Sequence, residues 1–111
     1  MATSYRILGQ SHLTTTSDTD IYTVPSATET IISTMIVANI GTAATTFNIA
    51  LREDGDTLAN KHYIAKGVPI AANDSTTLTL GMALEATDVV TVAAGAADLL
   101  SISLYGAQID V

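Results

Sequence analysis

Apolar and polar residues alternate along most of the chain with a period of two, and turn-forming residues interrupt the alternation about every 8 to 12 positions. A period of two sends successive side chains to opposite faces, as in short antiparallel strands. Residues 5–8 read as a first strand or an extended arm, and residues 11–20, rich in Ser, Thr and Asp, read as a loop. A short strand over 21–24 is closed by Pro25, which lacks a ladder donor. Residues 30–39 carry apolar side chains on both faces, which predicts a central strand or one at a subunit interface. Asn39-Ile40-Gly41 is a turn signal. Residues 45–53 alternate cleanly, with Phe47, Ile49 and Leu51 on one face and Asn48, Ala50 and Arg52 on the other. Asp54-Gly55 then predicts a hairpin, with the returning strand over 58–65.

Gly67-Val68-Pro69 reads as a break and Asn73-Asp74 as a turn. Residues 76–80 form a strand with Leu78 and Leu80 inward, and residues 81–88 leave room for one helical turn. Residues 83–97 are Ala-rich, but Thr87, Val89, Val90, Thr91, Val92 and Gly95 favour a strand there. In the last strand Leu100, Ile102 and Leu104 oppose Ser101, Ser103 and Tyr105, and residues 106–111 can continue it. About eight short strands at this spacing predict an all-β fold, a sandwich, jelly roll or small barrel, and the reading adopted is an antiparallel β-sandwich of jelly-roll type. The expectation is one domain over residues 1–111 with extended segments at 1–10 and 106–111. Such ends either pair with each other or add a strand to a neighbouring subunit.

Composition narrows the partners more than the fold. The chain is 48% hydrophobic, with one Phe, no Trp and four Tyr, so its core must be thin and aliphatic. A thin core favours oligomerisation or docking on a larger body as a source of further burial. Net charge is −7, and Arg6, Arg52, Lys61 and Lys66 are scattered, which argues against binding nucleic acid. No run approaches the roughly 20 apolar residues that span a bilayer, so no membrane partner is expected. Met1-Ala2-Thr3 leads into no long apolar stretch, so no secretory signal is expected either.

Residues that carry chemistry are few. There is no cysteine, which removes disulfides and thiolate-bound zinc. Two histidines, His12 and His62, are too few and badly placed for a nucleophile–base pair, and no nucleophile-elbow motif is present. Glu53-Asp54-Gly55-Asp56 offers hard oxygen ligands but lacks an EF-hand spacing, and the turn accounts for it; Asp18 with Asp20 is a weaker case. No catalytic residue, cofactor or metal site is therefore expected. The aromatics are more informative, because Tyr is favoured at protein interfaces. Tyr5, Tyr22, Tyr63, Tyr105, Ile109 and Val111 are the candidate contacts with other subunits or with a larger body.

The string as a whole resembles small virion proteins of tailed bacteriophages. The matching elements are Tyr5-Arg-Ile-Leu-Gly-Gln10, Tyr22-Thr-Val-Pro25, Ser33-Thr-Met-Ile-Val-Ala-Asn39 and Ala44-Thr-Thr-Phe47. They continue with Leu58-Ala-Asn-Lys-His-Tyr-Ile64, Pro69-Ile-Ala-Ala-Asn-Asp74, Leu78-Thr-Leu-Gly81, residues 88–92 and Leu104-Tyr-Gly106. These are strand-and-turn patterns, and Ala65-Lys66-Gly67 is less aromatic than the family pattern at that point. The resemblance implies a non-enzymatic head or tail accessory protein of the virion, assembled in the host cytoplasm. It carries over no catalytic residue. The expected role is a capsid decoration or cement protein, a homotrimer on a major capsid protein. A tail or baseplate adaptor or fibre-base protein is the first alternative. A carbohydrate-binding β-sandwich is the second.

Overall fold

The computed structural model describes residues 2–111, without the side chain of Leu80, so the inward setting expected for Leu80 falls outside the described residues. Eight strands follow one another: β1 (Thr3–Leu13), β2 (Thr19–Thr23), β3 (Thr28–Asn39), β4 (Thr45–Arg52), β5 (Tyr63–Ile70), β6 (Ser75–Leu84), β7 (Val89–Ala94) and β8 (Leu100–Asp110). They build two four-stranded antiparallel sheets. Sheet I has the order β1-β8-β3-β6 and sheet II the order β2-β7-β4-β5. Each strand pairs with the one at the mirrored place in the chain: β1 with β8, β2 with β7, β3 with β6 and β4 with β5. A single long hairpin, bent at the β4–β5 connection and rolled up, has these pairings; β3–β8 and β4–β7 ladders close the roll. This is the expected antiparallel sandwich of jelly-roll type, one of the architectures the strand spacing allows.

The core lies between the sheets and is aliphatic apart from Phe47 and Tyr22. Sheet I contributes Ile32, Met35, Val37, Leu100, Ile102 and Leu104, and sheet II contributes Phe47, Ile49, Val90 and Val92. Burying each such side chain stabilises the fold by roughly 1.5–3 kcal/mol. The two ends of the chain are strands of the same sheet, paired from Thr3 opposite Ile109 to Leu13 opposite Leu100.

Sheet I is creased. Its registers shift along one transverse line: between Ile7 and Gly9 in β1, and between Ile32 and Thr34 in β3, opposite Tyr105 in β8 and the segment from Thr79 to Met82 in β6. Each extra residue bends its strand and sharpens the local twist. Gly106 sits on this line, with the Ile31 backbone carbonyl where a Cβ would go. Ser33, the extra residue of β3, donates its hydroxyl to the Tyr105 carbonyl at 3.1 Å. On one side of the crease Met35, Val37, Ile102 and Leu104 pack against sheet II. On the other, the inward residues Thr30 and Gln108 meet β2: Tyr22 Oη lies 2.7 Å from Thr30 Oγ1 and accepts from Gln108 Nε2 at 2.8 Å.

Sheet II is covered on its outer face by the chain itself. Ala50, Val89, Thr91 and Ala93 point away from the core, yet none is more than 6% exposed. The β4–β5 connection lies over this region, holding two 3-10 turns (Glu53–Gly55 and Asn60–His62) with Gly55 against Val89. Arg52 pins it. The guanidinium donates to the carbonyls of Gly55 (3.2 Å) and Asp56 (3.0 Å), to Thr91 Oγ1 (3.0 Å) and to Asp20 Oδ1 (2.9 Å). Asp20 Oδ1 also accepts from the Thr91 hydroxyl at 2.8 Å, so β2, β7, β4 and the connection share one network.

Four local expectations are corrected. Residues 11–13 belong to β1, not to a loop, because β8 supplies a ladder for them. Asp54 and Gly55 do take the two positive φ values of a hairpin turn (53° and 66°), and Asp56 N–H donates to the Glu53 carbonyl at 3.0 Å. The returning strand nevertheless starts at Tyr63, since Arg52 holds the chain after the turn across sheet II. Gly67-Val68-Pro69 lies inside β5; this is an edge strand, where a proline's missing donor leaves no carbonyl unpaired. Residues 81–84 continue β6 and form no helical turn, because β3 is long enough to pair with them.

Candidate interaction surface

Residues paired across a ladder share a face, so the registers of sheet I assign its outer surface. Beyond the crease, β1 presents Thr3, Tyr5 and Ile7; β8 presents Tyr105, Ala107 and Ile109; β3 presents Ile31 and, at its end, Glu29; β6 presents Ala83. This half of the face is apolar and bare: Tyr5 is 87% exposed, Ile7 53% and Ile31 41%. Ala107 is buried beneath its neighbours Tyr5 and Ile31. Before the crease the same face is more polar, with Gln10, His12, Ser101, Ser103, Ser75 and Thr77 outward around half-buried Ile36 and Ala38 of β3. The crease therefore separates two chemistries on one sheet. An exposed group of large apolar side chains in contact with one another marks an interaction site more than scattered ones do. Ile40 and Ile64 are exposed singly elsewhere.

At the end of the apolar half, between β3, β6 and β8, lies a hollow of about 270 Å³ lined by Glu29, Thr30, Ile31, Ala83, Leu84, Glu85 and Ile109. Its lining mixes apolar side chains with Thr30 and two glutamates. None of the four basic residues lies on this face. Arg6 alternates to the opposite side from Tyr5 and Ile7. Arg52 is in the sheet II network, Lys61 stands 3.7 Å from Asp56, and Lys66 lies over the Tyr63 ring at 4.4 Å.

Of the six contact residues read from the sequence, the structure gathers Tyr5, Tyr105 and Ile109 on this face, and places Val111, 62% exposed, just past the end of β8. Tyr22 is taken out of the set, since its ring is in the core and its hydroxyl is bonded on both sides. Tyr63 is half-buried on sheet II, away from the others. Ile7, Ile31 and Ala83 join the surface, while Ala107 faces the same way but is buried. The apolar pair Ile31-Ile32 in the 30–39 run signalled Ile31; Ile7 alternates in step with Tyr5, and Ala83 became visible only with the register.

The chemistry-bearing residues do not converge. His12 Nε2 is 3.0 Å from the Asp98 carbonyl, and buried His62 accepts the Ala59 N–H through Nδ1 at 2.9 Å. Asp54 accepts from the Thr87 hydroxyl at 2.7 Å, as a turn side chain does. Among the described residues, no three His, Asp or Glu side chains are grouped to hold a metal, and no helix is long and apolar enough to cross a membrane.

No family model matches the chain, and no curated protein matches it. Among solved structures it is similar to two of infectious bursal disease virus. The Gt strain structure matches at 8% identity with a TM-score of 0.44, and the Gx strain structure at 9% with 0.45. Both alignments cover 96% of this chain and 31% of the other, so the chain spans about a third of the length of the chains it matches. Similarity at that level carries no functional assignment.

Proposed function

We propose that the chain is a non-enzymatic structural component of a virion: a capsid decoration protein of a tailed bacteriophage that bridges neighbouring shell subunits. The observation that carries this reading is the bare apolar half of sheet I, set against a sheet II that its own chain covers. A protein with one such face gains burial by docking, and a protein that binds only the assembled shell stabilises it by mass action. The resemblance of the strand-and-turn elements to small phage virion proteins supports the same reading, as does an acidic chain with few groups suited to chemistry. A homotrimer at a junction of shell subunits is the assembly proposed.

The test compares expanded capsids with and without the protein. The proposal expects a higher rupture temperature for decorated shells, and equal temperatures overturn it. A tail or baseplate adaptor is the second reading, favoured by the same face. Many copies per virion support decoration, and a handful support the adaptor. The wide exposure of the Tyr5 ring also suits stacking on a sugar, and a glycan array with clear hits would move the assignment to carbohydrate binding.

A further inference from the structure

The hollow between β3, β6 and β8 has a chemistry of its own. Ile31, Ala83, Leu84 and Ile109 make up its apolar lining, and Thr30, Glu29 and Glu85 its polar lining. Neither carboxylate has an ion-pair partner among the described residues. Resting on the docking reading above, we propose that this hollow is a socket for an arginine side chain carried by an apolar patch of the partner protein. The methylene stem of an arginine lies along an apolar lining while its charged head stays at the rim. Its planar fork bonds carboxylates with two parallel donors, which a lysine ammonium does not do.

Charge and area both select the occupant. Among the described residues, the outer face of sheet I holds no Lys or Arg, and none ion-pairs with the two glutamates there. A second copy laid face to face brings its own Glu29 and Glu85 against them, and like charges at an interface oppose association. The apolar half-sheet is four strands wide and about five residues long, about 300 Å² by strand spacing and rise. A stable dimer needs roughly 800 Å² from each partner. A small patch suits attachment to a fixed array, where several weak contacts act together.

The probe is a blocked tripeptide, acetyl-Leu-Arg-Leu-amide, beside its neutral isostere with citrulline in place of arginine. Amide shifts are followed by NMR on the intact protein. The arginine peptide is expected to move the amides of Ile31, Ala83, Glu85 and Ile109 with half-saturation in the millimolar range. The citrulline peptide and the E29Q/E85Q variant should each weaken that binding by about five-fold or more. Both substitutions are on exposed side chains, and an unchanged melting curve confirms that the variant folds. Equal binding of the two peptides, shifts confined to sheet II, or no shift at all would each overturn the socket. Selective arginine binding by a protein that is absent from virions upholds the socket and overturns the decoration reading. A protein present on shells but indifferent to the arginine peptide does the reverse.

Discussion

The Tyr22 hydroxyl lies where β2 passes beneath the far half of sheet I, bonded to Thr30 on β3 and Gln108 on β8. Tyr22→Phe removes one atom and leaves two part-buried or buried polar side chains short of a partner. The expected loss is about 1–2 kcal/mol, read from urea unfolding with an unchanged m-value. Two glycines show that position decides what a methyl group costs. At Gly106 a Cβ has nowhere to go, because the Ile31 carbonyl occupies its place, so Gly106→Ala should cost more than about 3 kcal/mol. At Gly67 the surroundings are open, and the penalty comes from φ of +65° alone. Gly67→Ala should cost about 1–2 kcal/mol, and thermal melting of the pair orders the two effects.

At the scale of elements, the Arg52 network decides where β5 begins. Arg52→Met keeps the length of the side chain but leaves Thr91 Oγ1 and two carbonyls without their donor, and Asp20 with the Thr91 hydroxyl alone. A loss of about 2 kcal/mol is expected, with faster hydrogen exchange confined to residues 53–62, and Arg52→Lys should recover little of it. The same network explains what sequence reading missed. Alternation exposed β4 and β8 because their inward residues are large and their outward ones polar. Asp54-Gly55 was readable as a turn, since its backbone needs are local. That the chain then crosses sheet II was not, because it depends on Asp20 and Thr91, far away in sequence. Residues 11–13 and 67–69 were hidden for a related reason: a hydroxyl-rich or proline-bearing segment becomes a strand only when a neighbour offers a ladder. The apolar surface was legible in part. Its tyrosines were visible, and alternation sets Ile7 with Tyr5 and Ala107 with Tyr105; that these strands lie side by side needed the fold.

For the whole molecule, the contrast between the two outer faces is the property that matters. Ile31→Lys changes a side chain 41% exposed, so the monomer should keep its stability to within about 0.5 kcal/mol. Shell binding should fall sharply, because the change puts a charge in the middle of the apolar half-sheet. Co-sedimentation with capsids beside a urea titration separates the two quantities. A variant that binds shells as well as the parent would remove this face from the interface. The rolled order has a further consequence in time. β8 lies between β1 and β3, so β1 has no neighbour in its own sheet until β8 has been made. Throughout synthesis β1 and β3 wait with open edges, and only the β4–β5 hairpin, among the mirrored pairs, is near enough in sequence to form early. Completion of the sandwich is thus a late, concerted event, and the growing chain is most open to pairing with its neighbours on the same messenger just before residue 100 appears.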